Sequence, residues 1–365
     1  MKQLNGYRMR LVVVGIVAAT MLGGGSAKAD FTFGEVTNLG PPVNSLVRDF
    51  APTISADGLS LYFDSDRPGS YGDKDLWVTT RPTTEDPWGE LVNLGATVNS
   101  SDADVAPSIS ADGLSLLFIS RRPGGFGERD IWVTTRPTMD DHWSEPVNLG
   151  PPINTSYRET GPCISADGLE LYFNSDRPGG SGGADLFVAT RLTVEDNWDT
   201  PINLGPTINT SLNDNGVNIS SDGLCLFFGL YGSENDFDTW MSTRPNKEHA
   251  WSAPVNLGPP VNSSARELQP EISSDGSTLY FTSRRSGGLG DYDIWQAPII
   301  PIVDLNSDGI VDAADMCIIV DHWGTDDPVC DIGPMPWGDG IVDVQDLIVL
   351  AEHLFEELPG RPIEP

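Results

Sequence analysis

The apolar positions of this 365-residue chain fall in short runs bounded by turn residues, which is the pattern of strands. The stretch from Pro52 to Arg81 shows it most clearly. Residues 52 to 56 lead into the pair Asp57-Gly58, Leu59 to Phe63 alternates toward a sheet face, and Leu76 to Thr80 follows a glycine-rich loop. Asp-Gly pairs supply the positive φ that a tight hairpin requires. A fourth run, Trp88 to Gly95, completes a unit of four strands.

This unit recurs. The Asp-Gly pair stands at 57/58, 112/113, 167/168, 222/223 and 275/276, at spacings of 55, 55, 55 and 53. A period of that length built from short β runs fits propeller blades and excludes helical solenoids. The Trp88 run returns as WSEPVNLG (143 to 150), WDTPINLG (198 to 205) and WSAPVNLG (251 to 258), but repeat five lacks it. A related segment, Phe33 to Gly40, lies ahead of repeat one instead. A closed ring joins its ends, so the leading segment is expected to complete the last blade and remove the exposed edges. The expected fold is an all-β five-bladed propeller over residues 30 to 300, followed by a small helical module at 301 to 356 and a tail at 357 to 365.

Ahead of the repeats, Lys2, Arg8 and Arg10 precede an apolar run from Leu11 to Leu22, and Ala27-Lys28-Ala29 follows. Residues 1 to 29 read as a secretory signal peptide, so the expected location is secreted or extracytoplasmic, periplasm or cell surface, with no membrane span after cleavage. The whole chain carries 21 basic against 53 acidic residues, a formal charge of −32. Without the signal the balance is 17 against 53. Such a surface excludes nucleic acid as a partner and suits divalent cations, high salt or a basic partner, although solvation alone accounts for it equally well. Of four cysteines, Cys317 and Cys330 are expected to pair, while Cys163 and Cys225 fall on strands of different blades, where buried thiols and a bridge are equally compatible.

The repeat elements I-S-x-D-G, L-Y-F-x-S, R-P-G-G and D-[IL]-W resemble the TolB-type, WD-repeat-like propeller family. The flanking V-N-L-G-P-P-[VI]-N-[ST] is most similar to versions beside OmpA-like domains in bacterial envelopes. The resemblance spans about residues 31 to 300. It implies an extracytoplasmic scaffold that binds proteins or peptides, some members being fused to peptidases or polysaccharide lyases.

Trp77, Trp132, Phe187, Trp240 and Trp295 recur once per blade, as packing between neighbouring sheets requires, and so do Trp88, Trp143, Trp198 and Trp251. The loop into each innermost strand carries Asp49, Asp104, Glu159, Asp214 and Glu267, three of them preceded by Arg48, Arg158 and Arg266. Five-fold repetition is expected to set these carboxylates about one mouth of the channel as ligand-binding candidates, for a divalent ion or a cationic group. The alternative is that each caps a turn or pairs with its arginine. Arg67, Arg122, Arg177 and Arg285 in the S-[DR]-R-P-G-G loop belong to the same face, and repeat four lacks this arginine. That gap is the first place to look for a ligand.

No G-x-S-x-G elbow or H-E-x-x-H motif occurs, and the four histidines, His142, His249, His322 and His353, assemble no triad. No catalytic residue is therefore assigned, and carboxylates are too abundant to diagnose glycoside hydrolysis.

Beyond Pro301 the spacing changes to that of a calcium loop. Asp304, Asn306 and Asp308 take positions one, three and five, Gly309 makes the turn, Ile310 offers its carbonyl, Asp312 takes position nine and Asp315 closes the loop. Met316 to His322 supplies the following helix. A second copy carries Asp339, Asp343 and Asp346, followed by a helix over Leu347 to Phe355, with Met335 and Trp337 standing where ligands one and three belong. Two half-motifs closing on Asp resemble a type I dockerin over about residues 302 to 356. That resemblance implies Ca²⁺ as cofactor and a cohesin-bearing scaffold protein as partner; a purely structural role for the module is the alternative. Positions ten and eleven, Ala313/Ala314 and Val344/Gln345, lack the hydroxyl pair often used to read cohesin. Together these features lead to the expectation of a secreted, non-catalytic binding or scaffold propeller, with a polysaccharide or peptide ligand, tethered by the dockerin-like module. The alternative is a carbohydrate-active hydrolase or lyase carried by the same tether.

Overall fold

The computed structural model describes residues 31–231, 237–301, 303–305, 311–325, 327, 330–333 and 341–354. The expected signal peptide lies outside them.

Five antiparallel sheets form five blades. In blade one, Asp49–Ile54, Ser60–Ser65, Asp75–Thr80 and Val92–Asn93 are hydrogen-bonded in that order, from channel to rim. Blades two, three and four repeat the order from innermost strands Asp104–Ile109, Glu159–Ile164 and Asp214–Ile219. The innermost strands touch one another in a closed circuit, blade five packing back on blade one.

Blade five draws Glu267–Ile272, Thr278–Ser283 and Asp293–Pro301 from the end of the repeat region and its outer edge from the start of the described chain. Thr37 and Asn38 pair with Gln296 and Trp295, and Phe31 to Phe33 pair with Pro301 to Ile299. The leading segment therefore closes the ring, as its sequence suggested.

The second strand of each blade alternates, but both of its faces are buried. Leu61 and Phe63 pack with Tyr280 and Ile294 of blade five, whereas Tyr62 packs with Ile109 and Phe118 of blade two. Every blade is sandwiched between neighbours, which explains the nearly continuous apolar runs. Trp77, Trp132 and Trp295 sit in these interblade clusters. Packing is their role.

The polar motifs are the stitching between blades. In V-N-L-G-P-P-V-N, the Asn44 side chain donates to the Ile294 carbonyl and accepts from the Ile294 amide, replacing a missing strand partner. Asn38 Oδ1 accepts from Asn44 Nδ2 and the Gly40 amide, and its Nδ2 donates to Asp293. Blades one to four repeat this set through Asn99, Asn154, Asn209 and Asn262. The glycine-rich loop must let the next linker pass. A Cβ on Gly72 would run into the Asp102 carbonyl oxygen, and one on Gly127 into that of Tyr157.

After the propeller, helices Ala313–Asp321 and Val344–Glu352 begin three residues earlier than expected, because Asp312 and Asp343 cap them. They share a core of Val311, Ile319, Ile332, Val342 and Leu350. The expected Cys317–Cys330 disulfide is absent: Cys317 lies on the exposed face of its helix while Cys330 is buried in that core. Cys163 and Cys225 are both buried and unbridged, in separate interblade clusters.

Ring closure makes Phe33, 4% exposed within the blade-five cluster, a structural anchor. Phe33→Ala is expected to lower unfolding free energy by about 3 kcal/mol in a denaturant titration. Leu46→Ala, at a side chain 84% exposed, should leave the midpoint unchanged.

Candidate active site

The acidic column ahead of the innermost strands turns into the blades. Asp49, Asp104, Glu159, Asp214 and Glu267 are all buried. Asp49 accepts from the Ser45 amide and hydroxyl and from Ser65, and pairs with Arg67 at 2.5 Å. Asp104, Glu159 and Glu267 pair in the same way with Arg122, Arg177 and Arg285 at 2.6, 3.1 and 3.0 Å. Each of these arginines is held against its blade's inner aromatic residue, Arg67 with its guanidinium 5.4 Å from the Trp77 ring centroid. The partner is thus the R-P-G-G arginine of the same blade. The preceding Arg48 instead binds Asp64 at 2.6 Å, and Arg158 binds Asp176 at 2.9 Å. Arg266 contributes its backbone carbonyl to the Arg284 amide.

Blade four breaks the set. Leu230 stands opposite Asp214, where Ser65 stands opposite Asp49, and no arginine pairs with Asp214 among the described residues. Among the described residues its carboxylate accepts only from the Thr210 amide and hydroxyl. Burial pushes the Asp214 carboxyl up, against those two hydrogen bonds and with help from the nearby Asp185 charge, to about 6.

Asp214 borders a cavity of about 340 Å³ at this end of the channel, lined also by Arg48, Asp64, Arg129, Arg158 and Asp176. Asp64 is buried, its Oδ1 accepting from the Ala106 amide at 3.0 Å, and burial raises its carboxyl despite Arg48. Asp176 behaves in the opposite way. Its partial burial would raise it, but hydrogen bonds from the Arg158 amide and guanidinium outweigh that and hold it below the usual aspartate range. Asp176, held as the anion, and Asp214, raised by burial, therefore border one cavity.

Deeper in the channel a second ring closes the innermost strands. Thr53, Ser108, Cys163, Asn218 and Glu271 occupy one position per blade. Thr53 Oγ1 accepts from the Ile109 amide, Ser108 Oγ from Ile164, Asn218 Oδ1 from Ile272, and Glu271 Oε1 from Ile54. Cys163 receives a backbone hydrogen bond from Ile219. Thr53 and Asn218 donate to the two Glu271 oxygens at 2.8 and 2.5 Å. Burial pushes Glu271 up to about 7 against these donors, and pushes the Cys163 thiol to about 12.

Asp64, Arg129, Asp176 and Glu271 were missed by sequence reasoning, which searched for columns that obey the repeat. The signal lay in columns that break it: Thr, Ser, Cys, Asn, Glu in the channel ring, and Lys74, Arg129, Ala184, Phe237 and Tyr292 just before each D-[IL]-W aspartate.

Among the calcium-loop residues, Asn306, Asp308, Ile310 and Asp339 lie outside the described residues. Asp315 and Asp346 are buried, each accepting the helix-cap amide, of Asp312 and Asp343 respectively. Their other oxygens accept from the Leu305 and Gly333 amides. No group of three or more metal-ligating side chains converges among the described residues.

The raised carboxyls carry a stability consequence. Glu271 keeps its proton in the folded chain up to about pH 7, whereas an unfolded glutamate loses it near 4.5. Its contribution is complete below that lower value and disappears as pH rises through 7. Melting temperature should fall across this window, and Glu271→Gln should flatten the decline; an unaltered slope would show that the carboxyl titrates normally.

No family model matches the chain, and no curated protein matches it. Among solved structures it is similar to the α-L-arabinofuranosidase of Podospora anserina, at 12% identity and TM-score 0.51, covering 74% of this chain and 97% of that one. The α-L-arabinofuranosidase of Lactobacillus brevis matches at 13% identity and TM-score 0.51, with 72% and 93% covered. TolB from Acinetobacter baumannii matches at 14% identity and TM-score 0.45, over 69% of this chain and about half, 54%, of that one. At these identities the likeness is one of fold. The expectation of a non-catalytic scaffold is corrected here: both arabinofuranosidase neighbours named above share this fold, which favours the alternative, a carbohydrate-active hydrolase.

Proposed function

We propose that the protein is a carbohydrate-active hydrolase working in the cavity at the channel mouth. The observation that carries this reading is the pairing in one cavity of Asp176, held ionised by Arg158, with Asp214, raised by burial to about 6. Glycoside hydrolysis needs a carboxylic acid to protonate the departing oxygen and a carboxylate to activate water or attack the sugar. Asp214 is assigned the acid role and Asp176 the carboxylate role. The fold shared with two arabinofuranosidases supports a glycan as the substrate class.

Release of reducing sugar from a panel of plant and algal polysaccharides is expected, with Asp176→Asn and Asp214→Asn each lowering turnover by about 100-fold or more. Turnover should decline as pH rises through about 6, where Asp214 loses its proton. Undiminished turnover in both variants would refute the assignment.

The same reading has the enzyme exported by its leading segment and carried by a dockerin-like module that binds Ca²⁺ and a cohesin-bearing scaffold. The matched capping boxes at Asp312/Asp315 and Asp343/Asp346 support a duplicated half-motif. In the first loop Asp304, Asn306, Asp308, the Ile310 carbonyl, Asp312 and Asp315 would supply the hard oxygen ligands that Ca²⁺ takes. Calcium should raise the melting temperature of the module, and Asp304→Ala should remove the gain; a melting curve indifferent to calcium in the unmutated protein would eliminate the metal site.

A further inference from the structure

The channel mouth departs from the charge of the whole chain. In a protein of net charge −32, one cavity sets three arginines, Arg48, Arg129 and Arg158, against three aspartates, Asp64, Asp176 and Asp214. Arg48 and Arg158 line it and are engaged by Asp64 and Asp176. Arg129, half-buried, lines the same cavity with no carboxylate partner for its guanidinium among the described residues. Its backbone holds it there: the Arg129 carbonyl accepts from the Glu159 amide, and the residue bridges to Arg158. Its environment disfavours the cation, first through burial and then through the charges of Arg121, Arg158 and Arg48. Lys74, equivalent to Arg129 in blade one, is also shifted down by burial and by Arg48.

Like charges brought together in a part-buried site are relieved by a counter-ion. A guanidinium is a planar fork that takes a carboxylate or sulfate through two parallel hydrogen bonds. Aromatic rings share this mouth, and Arg48 lies over one of them, its guanidinium 3.8 Å from the Phe50 ring centroid. Phe50 and Phe237 line the cavity, and Tyr292 packs edge-on against Phe50 with centroids 5.2 Å apart. An anion-binding fork in a cavity that aromatic rings also line suits a sugar that carries an acidic group.

We propose that the cavity recognises an anionic saccharide, a uronate or a sulfated sugar, with Arg129 binding the acidic group inside the cavity that Phe50 and Phe237 also line. This rests on the hydrolase reading for its site and narrows its substrate class.

The test is calorimetric titration of the full chain at fixed salt with three probes: oligogalacturonate, the same oligomer methyl-esterified, and a sulfated oligosaccharide. At least one acidic probe should bind about tenfold or more tightly than the esterified one, as one charge-assisted fork implies. Arg129→Gln should abolish that preference while leaving the melting temperature within a degree or two of the unmutated protein, and Arg129→Lys should restore part of it. Whichever acidic probe is preferred identifies carboxylate or sulfate as the group read. Equal affinity for all probes, or a preference that survives Arg129→Gln, would overturn the proposal. Turnover of neutral glycans alone would sink it while sparing the hydrolase reading. Arg129-dependent binding of an acidic probe without turnover of any glycan would uphold it and sink that reading.

Discussion

Every innermost strand of this ring lies beside the next blade's innermost strand without sharing a sheet with it, so its inward-facing backbone amides need partners from elsewhere. The chain meets this need with side chains. Thr53, Ser108, Asn218 and Glu271 each accept the amide of an isoleucine one blade on, and Cys163 takes the fifth place. A buried amide without a partner costs about 1 to 3 kcal/mol, so the ring cannot lose one of these acceptors without distorting the channel. Because the five need only an acceptor, their identities are unconstrained by the repeat. That freedom is what lets a glutamate with an elevated pKa sit at the axis.

The same division runs through the rest of the propeller. Positions that hold a blade together are uniform: the buried Asp or Glu, the arginine pinned between it and an aromatic ring, the asparagine that stands in for a strand. Breaking a buried pair strands an uncompensated charge, which is far more costly than never having formed it. Blade four has lost both the arginine and the serine around Asp214, and burial then raises the carboxyl to about 6. A defect in the structural pattern thus becomes a titratable group next to a cavity.

Electrostatics sharpens the contrast between body and mouth. The chain is strongly acidic, whereas around the cavity Arg48, Arg129 and Arg158 balance Asp64, Asp176 and Asp214, with Phe50 and Phe237 in the same lining. An anionic ligand would be repelled by most of the molecule and least at this place. Such an arrangement favours specificity through exclusion elsewhere as much as through contacts at the site.

The repeat length, the Asp-Gly turns and the displaced Phe33 to Gly40 segment were enough to determine five blades and the closure of the ring, because a propeller's core is local. Each blade packs only on its neighbours, and the residues that do this recur at one spacing. The same local logic read the aromatic columns correctly as packing. The direction of the acidic column was another matter: Asp49 and its equivalents stand next to channel-facing residues in sequence, yet the hairpin register turns them into their own blades toward arginines 18 residues away. Helix starts were displaced by caps at Asp312 and Asp343, and the Cys317–Cys330 pairing failed because a helix face, not sequence distance, sets where a side chain points. The candidate site was illegible for a deeper reason. Asp176, Asp214 and Arg129 come from three blades and are joined only by curvature of the ring, and their protonation depends on burial and on partners that no linear spacing records.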